Sequence, residues 1–179
     1  MKTDQPLLNA VRKMDHQALV AVFDRYAPEL YNYALGMCGD PLEADQAVGD
    51  VFTKFLEQLA AGKGPHTNLR SYLYTMTTHV ILDNWRLSRR NAPLELAEFE
   101  RMIGDENHSM DERLENKILY EALILAIKYH LTANQRHTIL LRFAEGFSLL
   151  ETAQIVGKEV GYVKTTQNRA IAKLRKVLA

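Results

Sequence analysis

The apolar residues of this chain recur at helical spacing in nearly every segment, and this periodicity restricts the fold more than any other feature. In residues 15–36, 41–60 and 67–90 an apolar side chain returns every three or four positions. Such spacing places these side chains on one face of a helix. No alternating run of apolar and polar residues is long enough to predict a sheet. We therefore predict an all-α fold.

Capping residues predict where these helices begin. Asp15 is a suitable N-cap for the first long helix, and Asp40 followed by Pro41 opens the second. Near the C-terminus, Thr132 caps a helix that runs to about Phe143, and Ser148 and Glu159 open two more. Pro28 predicts a kink or a break inside the first helix. The third helix begins at residue 67 or 68 and buries one apolar face. Its other side carries aromatic, polar and cationic residues: Tyr74, Thr75, Thr78, His79, Trp85, Arg86, Arg89 and Arg90.

The formal net charge of zero conceals an uneven distribution along the chain. Residues 1–90 carry ten basic and ten acidic side chains, whereas residues 91–113 carry two basic and seven acidic ones. Residues 114–179 carry ten basic and five acidic side chains. The acidic segment also lacks helical periodicity and contains Pro93 and Gly104. We predict two small helical domains, 1–92 and 114–179, joined by an acidic linker at 93–113.

The C-terminal segment has the spacing of a helix-turn-helix. Ala153 is followed by Gly157 after four residues and by Val163 after six more. The motif requires a small residue where the helices cross, a residue that tolerates positive φ in the turn, and an apolar anchor on the second helix. The second helix would enter the major groove. Its candidate DNA contacts are Lys158, Tyr162, Lys164, Thr165, Thr166 and Arg169.

Two features leave a structural alternative open. A glycine turn between amphipathic helices also occurs in proteins that bind no DNA, and a charged helix is often only a solvated surface. The surplus of six cations over one acid from Lys158 onward favours a phosphate-facing element. The face around Trp85 and Arg86 is typical of binding to melted DNA, but taken alone it is better explained by a half-buried tryptophan beside solvated arginines.

Several function classes have little support in the sequence. The six histidines show no metal-ligand spacing, and there is neither a glycine-rich phosphate loop nor a nucleophile elbow. We expect no catalysis, no metal and no cofactor. Cys38 is the single cysteine, so it has no internal disulfide partner. No leader sequence and no run of about 18 apolar residues occurs, which predicts a cytoplasmic protein without membrane insertion.

Three stretches, in this order, resemble the extracytoplasmic-function sigma factors, the smallest class of bacterial sigma subunits. The first is FDRYAPELYNYALGMCGDPLEADQAVGDVFTKF, and the second is SYLYTMTTHVILDNWRLSRR. The third is HLTANQRHTILLRFAEGFSLLETAQIVGKEVGYVKTTQNRAIAKLRKVL. The resemblance implies regions two and four of a sigma factor, joined by a linker, with RNA polymerase core and promoter DNA as partners and an anti-sigma protein as inhibitor.

The resemblance also implies roles for individual residues. Asp45, Asp50 and Phe52 would dock on the polymerase. The downstream promoter element would be contacted by His79, Asp83, Trp85 and Arg86, to which the cationic face described above adds Arg89 and Arg90. Four of the residues named above for the second helix of the helix-turn-helix would contact the upstream element: Tyr162, Lys164, Thr165 and Arg169.

Some positions depart from the family pattern. Gln46, Ala47 and Gly49 replace an acid, a leucine and a glutamine in the docking helix, and Gly49 costs roughly 1 kcal/mol of helix propensity. Thr78 and His79 stand where the family has Arg-Asn, and Thr166 stands where it has an arginine. The promoter sequence therefore cannot be transferred from typical members.

We interpret the chain as a sigma factor that recognises promoters and opens DNA during transcription initiation, with catalysis left to the polymerase. The alternative is a stand-alone helix-turn-helix regulator whose N-terminal domain dimerises or senses a ligand. The N-terminal half favours the first interpretation, because it carries the Gly-Asp-Pro helix start and the Asp-x-Trp-Arg ending instead of a pocket-forming pattern.

Overall fold

A computed structural model describes residues 5–88, 119 and 122–178, and every regular element within those ranges is a helix. The chain divides into two units near residue 93. On the N-terminal side are α1 (Gln5–Arg12), α2 (His16–Cys38), α3 (Pro41–Ala60) and α4 (Leu69–Ser88). On the C-terminal side are α5 (122–130), α6 (Ala133–Ile139), α7 (Leu149–Val156) and α8 (Val160–Leu178). The all-α prediction is confirmed; the predicted linker lies outside the described residues.

The predicted capping residues begin the helices of the first unit. The Asp15 carboxylate accepts a hydrogen bond from the Ala18 amide at 2.9 Å, and Asp40 accepts one from Glu43 at 2.8 Å. The Asn68 side chain accepts one from the Ser71 amide at 3.0 Å, which starts α4. These bonds satisfy amide groups that have no partner within the first helical turn.

Pro28 does not divide α2, which runs unbroken from His16 to Cys38. That part of the prediction is wrong. The proline removes the hydrogen bond that would reach the carbonyl of Asp24 one turn earlier. Both residues are exposed, so water can satisfy that carbonyl, and the helix continues.

The core of the first unit lies where α2, α3 and α4 pack against one another. Because α4 contacts both other helices, it buries a wider arc than one apolar stripe. Tyr74 and Thr78, predicted on its outer side, are therefore buried. The Tyr74 ring lies 5.2 Å from the Tyr33 ring, centroid to centroid, and the Tyr33 hydroxyl lies 3.3 Å from the Thr78 hydroxyl.

The C-terminal unit is built on α6 packed against α8. Thr132 begins α6 with a capping box, in which its side chain accepts from the Gln135 amide and the Gln135 side chain accepts from the Thr132 amide. A π-helical turn, Leu140–Ala144, follows α6 directly. The sequence predicted one regular helix over this whole stretch. One core cluster of this unit consists of Ala126, Ile127, Leu131, Ile139, Ala170 and Leu174.

Candidate functional site

The turn between α7 and α8 has the geometry that the sequence predicts for a helix-turn-helix. Ser148 begins α7 with a second capping box, because its amide donates to Glu151 and its hydroxyl accepts from the Glu151 amide. Gly157 has a φ of 63°, and the Lys158 amide donates to the Ala153 carbonyl at 3.0 Å. This bond across a left-handed glycine is a Schellman ending. It stops α7 and turns the chain into α8.

One side of α8 is buried against the unit, and the opposite side is exposed. Val163, Thr166, Ala170 and Leu174 are buried at helical spacing and hold the helix on the unit. The opposite line of the helix is exposed and carries Gly161, Thr165, Asn168 and Ala172. A helix with one face fixed and the other open can enter a DNA groove.

The predicted DNA contacts divide between these sides. Lys158, Tyr162, Lys164, Thr165 and Arg169 are all exposed, as a contact with DNA requires. Thr166 is only 8% exposed, and its burial argues against direct contact with DNA.

Asn168 is exposed on the outward line of α8 one turn beyond Thr165, and the sequence analysis missed it. An asparagine amide is suited to reading adenine in the major groove. Counting outward from the anchor Val163 would have found Asn168, since it lies five positions further along the helix.

The charge of α8 is uniformly positive. Between Val160 and Leu178 the helix carries five cationic residues and no acidic one. Lys173 donates to the His130 carbonyl at 3.1 Å, so this side chain is already engaged within the protein. The remaining cations are Lys164, Arg169, Arg175 and Lys176, all exposed. This charge attracts the phosphate backbone of nucleic acid.

Residues of α4 predicted to contact the downstream element do not share one face. His79 and Asp83 are exposed one helical turn apart. Trp85 is half-buried on another side, where it lines a groove of about 290 Å³ together with Cys38 and Asp50. Arg89 and Arg90 lie outside the described residues, as does the side chain of Arg86.

The predicted docking residues of α3 also separate. Asp45 and Asp50 are exposed. Phe52 is 9% exposed and packs on Phe23, with ring centroids 4.8 Å apart. Its burial argues against a large direct contact with a partner.

Two leucines on the exposed side of α3 were missed by the sequence analysis. Leu42 and Leu56 are 67% and 42% exposed. They lie on one line with Asp45, outside the apolar stripe that packs into the core. The helical periodicity of the sequence could have identified these leucines, because each of them falls on the polar side of an amphipathic helix.

Other kinds of site find no support in the described ranges. No group of histidine, cysteine, aspartate and glutamate side chains there is placed to hold a metal ion. None of the helices described is long and apolar enough to cross a membrane.

Comparison with known families and proteins identifies both halves of the chain. Residues 22–91 match sigma-70 region 2, and residues 129–176 match sigma-70 region 4. The extracytoplasmic-function (ECF) RNA polymerase sigma factor BldN of Streptomyces coelicolor is 25% identical over 172 residues, covering 96% of this chain and 64% of BldN. The chain thus spans less than two thirds of that relative. The ECF sigma factor SigX of Bacillus subtilis is 28% identical over 160 residues, covering 87% of this chain and 80% of SigX.

Solved structures share the fold. The sigma factor RpoE of Bartonella quintana, in complex with the anti-sigma factor NepR, superposes with a TM-score of 0.70 at 23% identity, covering 90% of this chain and 94% of RpoE. CnrH in complex with the cytosolic domain of CnrY gives a TM-score of 0.68 at 21% identity, covering 98% of this chain and 96% of CnrH.

Proposed function

This chain belongs to the extracytoplasmic-function sigma factors of the sigma-70 family, and we propose that it recruits RNA polymerase core to promoters and helps to open the DNA. The α7–α8 helix-turn-helix carries this proposal. It combines a Schellman turn at Gly157 with a recognition helix that is anchored on one side, open on the other and free of acidic residues. In this function α8 contacts the upstream promoter element.

Five residues of the C-terminal unit are the proposed upstream contacts. Lys164 and Arg169 bind backbone phosphates, because their charges are exposed on α8. Thr165 and Asn168 face base edges from the outward line of the same helix. Lys158 adds a cation at the turn before α8.

The first unit contacts polymerase and the downstream element in this proposal. Docking uses the exposed side of α3, where Asp45 lies on one line with Leu42 and Leu56, and Asp50 is exposed on another part of the same helix. Exposed leucines add apolar area that partly replaces the acidic residue missing at Gln46. The downstream element is contacted by the C-terminal part of α4 and the residues after it: His79, Asp83, Trp85, Arg86, Arg89 and Arg90.

We also propose an inhibitory protein partner. The solved RpoE and CnrH structures are complexes with NepR, an anti-sigma factor, and with CnrY. The exposed leucines of α3 and the basic face of α8 are the surfaces that such an inhibitor would cover. The acidic segment 93–113 serves as the linker between the two domains, 1–92 and 114–179.

Binding to bacterial core RNA polymerase, followed by run-off transcription from the DNA upstream of the chain's own gene, tests this function. The expected result is a stable complex that initiates at a defined position, whereas core polymerase alone does not. A variant with Asp45→Lys and Leu56→Glu should lose core binding and keep its fold, since both positions are exposed. A chain that retains DNA without polymerase, and never binds polymerase, would instead be a stand-alone regulator.

A further inference from the structure

A hydrogen bond joins the start of α6 to the recognition helix. The side-chain amide of Asn134 donates to the hydroxyl oxygen of Tyr162 at 3.1 Å. Both residues are exposed, and Tyr162 remains 42% exposed despite this contact. An exposed pair gains little stability from such a bond. Stabilisation of the unit therefore does not explain the arrangement, which is consistent with a role in binding.

The bond determines which further hydrogen bonds the tyrosine can make. A phenol has one proton to donate, and its oxygen accepts. With the oxygen accepting from Asn134, the hydroxyl proton is left for an acceptor beyond the protein surface. An accepted hydrogen bond also polarises the O–H group and makes it a better donor.

The surroundings favour an anionic acceptor. The Lys158 ammonium lies 5.9 Å from the centroid of the Tyr162 ring. Arg169 follows two turns along the same flank of α8. Glu159 is the single acidic residue from Lys158 to Leu178. A phosphate oxygen at Tyr162 would meet the Lys158 ammonium and a polarised hydroxyl, and Arg169 adds a positive charge further along the same flank.

The position of Tyr162 on the helix favours the DNA backbone over the bases. Successive residues of an α-helix are about 100° apart, so Tyr162 lies well to one side of the outward line through Gly161 and Thr165. When that outward line faces the base edges, the flank faces the phosphates that form the wall of the groove.

We propose that Tyr162 donates a hydrogen bond to a backbone phosphate of the upstream promoter element and that Asn134 is the positioning residue that aims it. This inference rests on the proposed promoter-binding function and adds a neutral contact that sets how α8 sits in the groove. A neutral donor displaces no counterion. Its loss therefore has a different signature from the loss of Lys164 or Arg169.

The test uses the full chain bound to core RNA polymerase. A duplex is first selected from a randomised pool by the wild-type complex, and variants of that duplex with single base-pair changes are then prepared. Tyr162→Phe should weaken binding to every duplex by about tenfold. The discrimination among duplexes and the slope of log affinity against log salt concentration should both stay at the wild-type values.

Asn134→Ala tests the positioning role. It should reproduce most of the loss seen for Tyr162→Phe, and the double variant should be no weaker than Tyr162→Phe alone, because both changes remove the same interaction. Tyr129→Phe is the matched control: Tyr129 is an exposed tyrosine with the Lys128 ammonium 5.5 Å from its ring centroid, but it lies outside α8. This control should bind as the wild type does.

Three results would overturn the inference: a loss confined to particular base pairs, unchanged binding in Tyr162→Phe, and additive losses in the double variant. The first would make Tyr162 a base contact, the second would make the bond with Asn134 purely structural, and the third would remove the coupling between the two residues. A wild-type complex that selects no sequence from the pool would overturn the proposed function itself.

Discussion

The Arg142 guanidinium joins the segment before α7 to the recognition helix. Its Nε donates to Oε1 of Gln167 on α8 at 3.0 Å, and its Nη1 donates to the carbonyl of Phe147. Arg142 lies in the π-helical turn that follows α6. One side chain thus holds both the segment that leads into the helix-turn-helix and the helix that is proposed to contact DNA.

Arg142→Ala should lower the free energy of unfolding by about 1–3 kcal/mol, because the partly buried Phe147 carbonyl and the Gln167 side chain lose a charged donor. Arg142→Lys should recover little of this loss, since lysine lacks the planar fork that reaches two acceptors at once. Urea unfolding measures the effect. Arg175→Ala, an exposed change on α8, serves as the control and should unfold as the wild type does. Equal effects at positions 142 and 175 would contradict the bridging role.

Replacing Lys164 and Arg169 together by alanine should weaken upstream DNA binding and reduce its salt dependence. The slope of log affinity against log salt concentration should become shallower by roughly one unit for each phosphate-binding cation that is removed. Both side chains are exposed, so the melting temperature should stay close to the wild-type value. Fluorescence anisotropy over a series of salt concentrations measures the slope. An unchanged slope in the double variant would mean that this helix does not face DNA.

Trp85→Ala should impair promoter opening more than binding to closed promoter DNA, because an aromatic ring stabilises unpaired bases by stacking. Permanganate reactivity of unpaired thymines measures opening, and filter binding measures the closed complex. Trp85 shares its groove with Asp50, which we propose for polymerase docking. Affinity for core polymerase is therefore measured in parallel. Equal losses in opening and in closed-complex binding would count against a role of Trp85 in melted DNA.

Thr152→Val should stabilise the C-terminal unit by about 1 kcal/mol. Thr152 is fully buried in α7, and its hydroxyl is without a hydrogen-bond partner among the residues that the structure describes. Valine keeps the branched shape and removes the buried polar group. Thermal unfolding followed by circular dichroism measures the shift.

Thr138→Val is the matched control for Thr152→Val. Thr138 is also buried, but its hydroxyl donates to the Asn134 carbonyl at 2.9 Å. The same substitution should therefore be neutral or destabilising at this position. A destabilised Thr152→Val variant would indicate that its hydroxyl has a partner, such as a bound water.

Local signals in the sequence were sufficient to predict most helix starts. Asp15, Asp40, Thr132 and Ser148 each accept a hydrogen bond from an amide three residues later. Such bonds depend on neighbouring residues alone, so one sequence is enough to find them. The turn glycine Gly157 was predictable for the same reason, since its conformation is set within the turn.

Features that depend on packing between helices were not predictable in this way. Tyr74 and Thr78 are buried because α4 contacts two neighbours, and no local pattern reports how many neighbours a helix will have. The π-helical turn after α6 changes the spacing by one residue, which a search for regular periodicity passes over. The burial of Thr166 could have been predicted, because Thr166 lies three residues after Val163 on the buried side of α8.

The burial pattern of α8 separates the residues that this helix needs in order to fold from the residues proposed to contact DNA. Val163, Ala170 and Leu174 carry the packing, whereas Thr165 and Asn168 make no contribution to the core. Substitutions at such outward positions change stability by only about 0.5 kcal/mol. On the proposed function, promoter preference can therefore be altered without changing the scaffold, so α8 is a starting point for engineering orthogonal transcription switches.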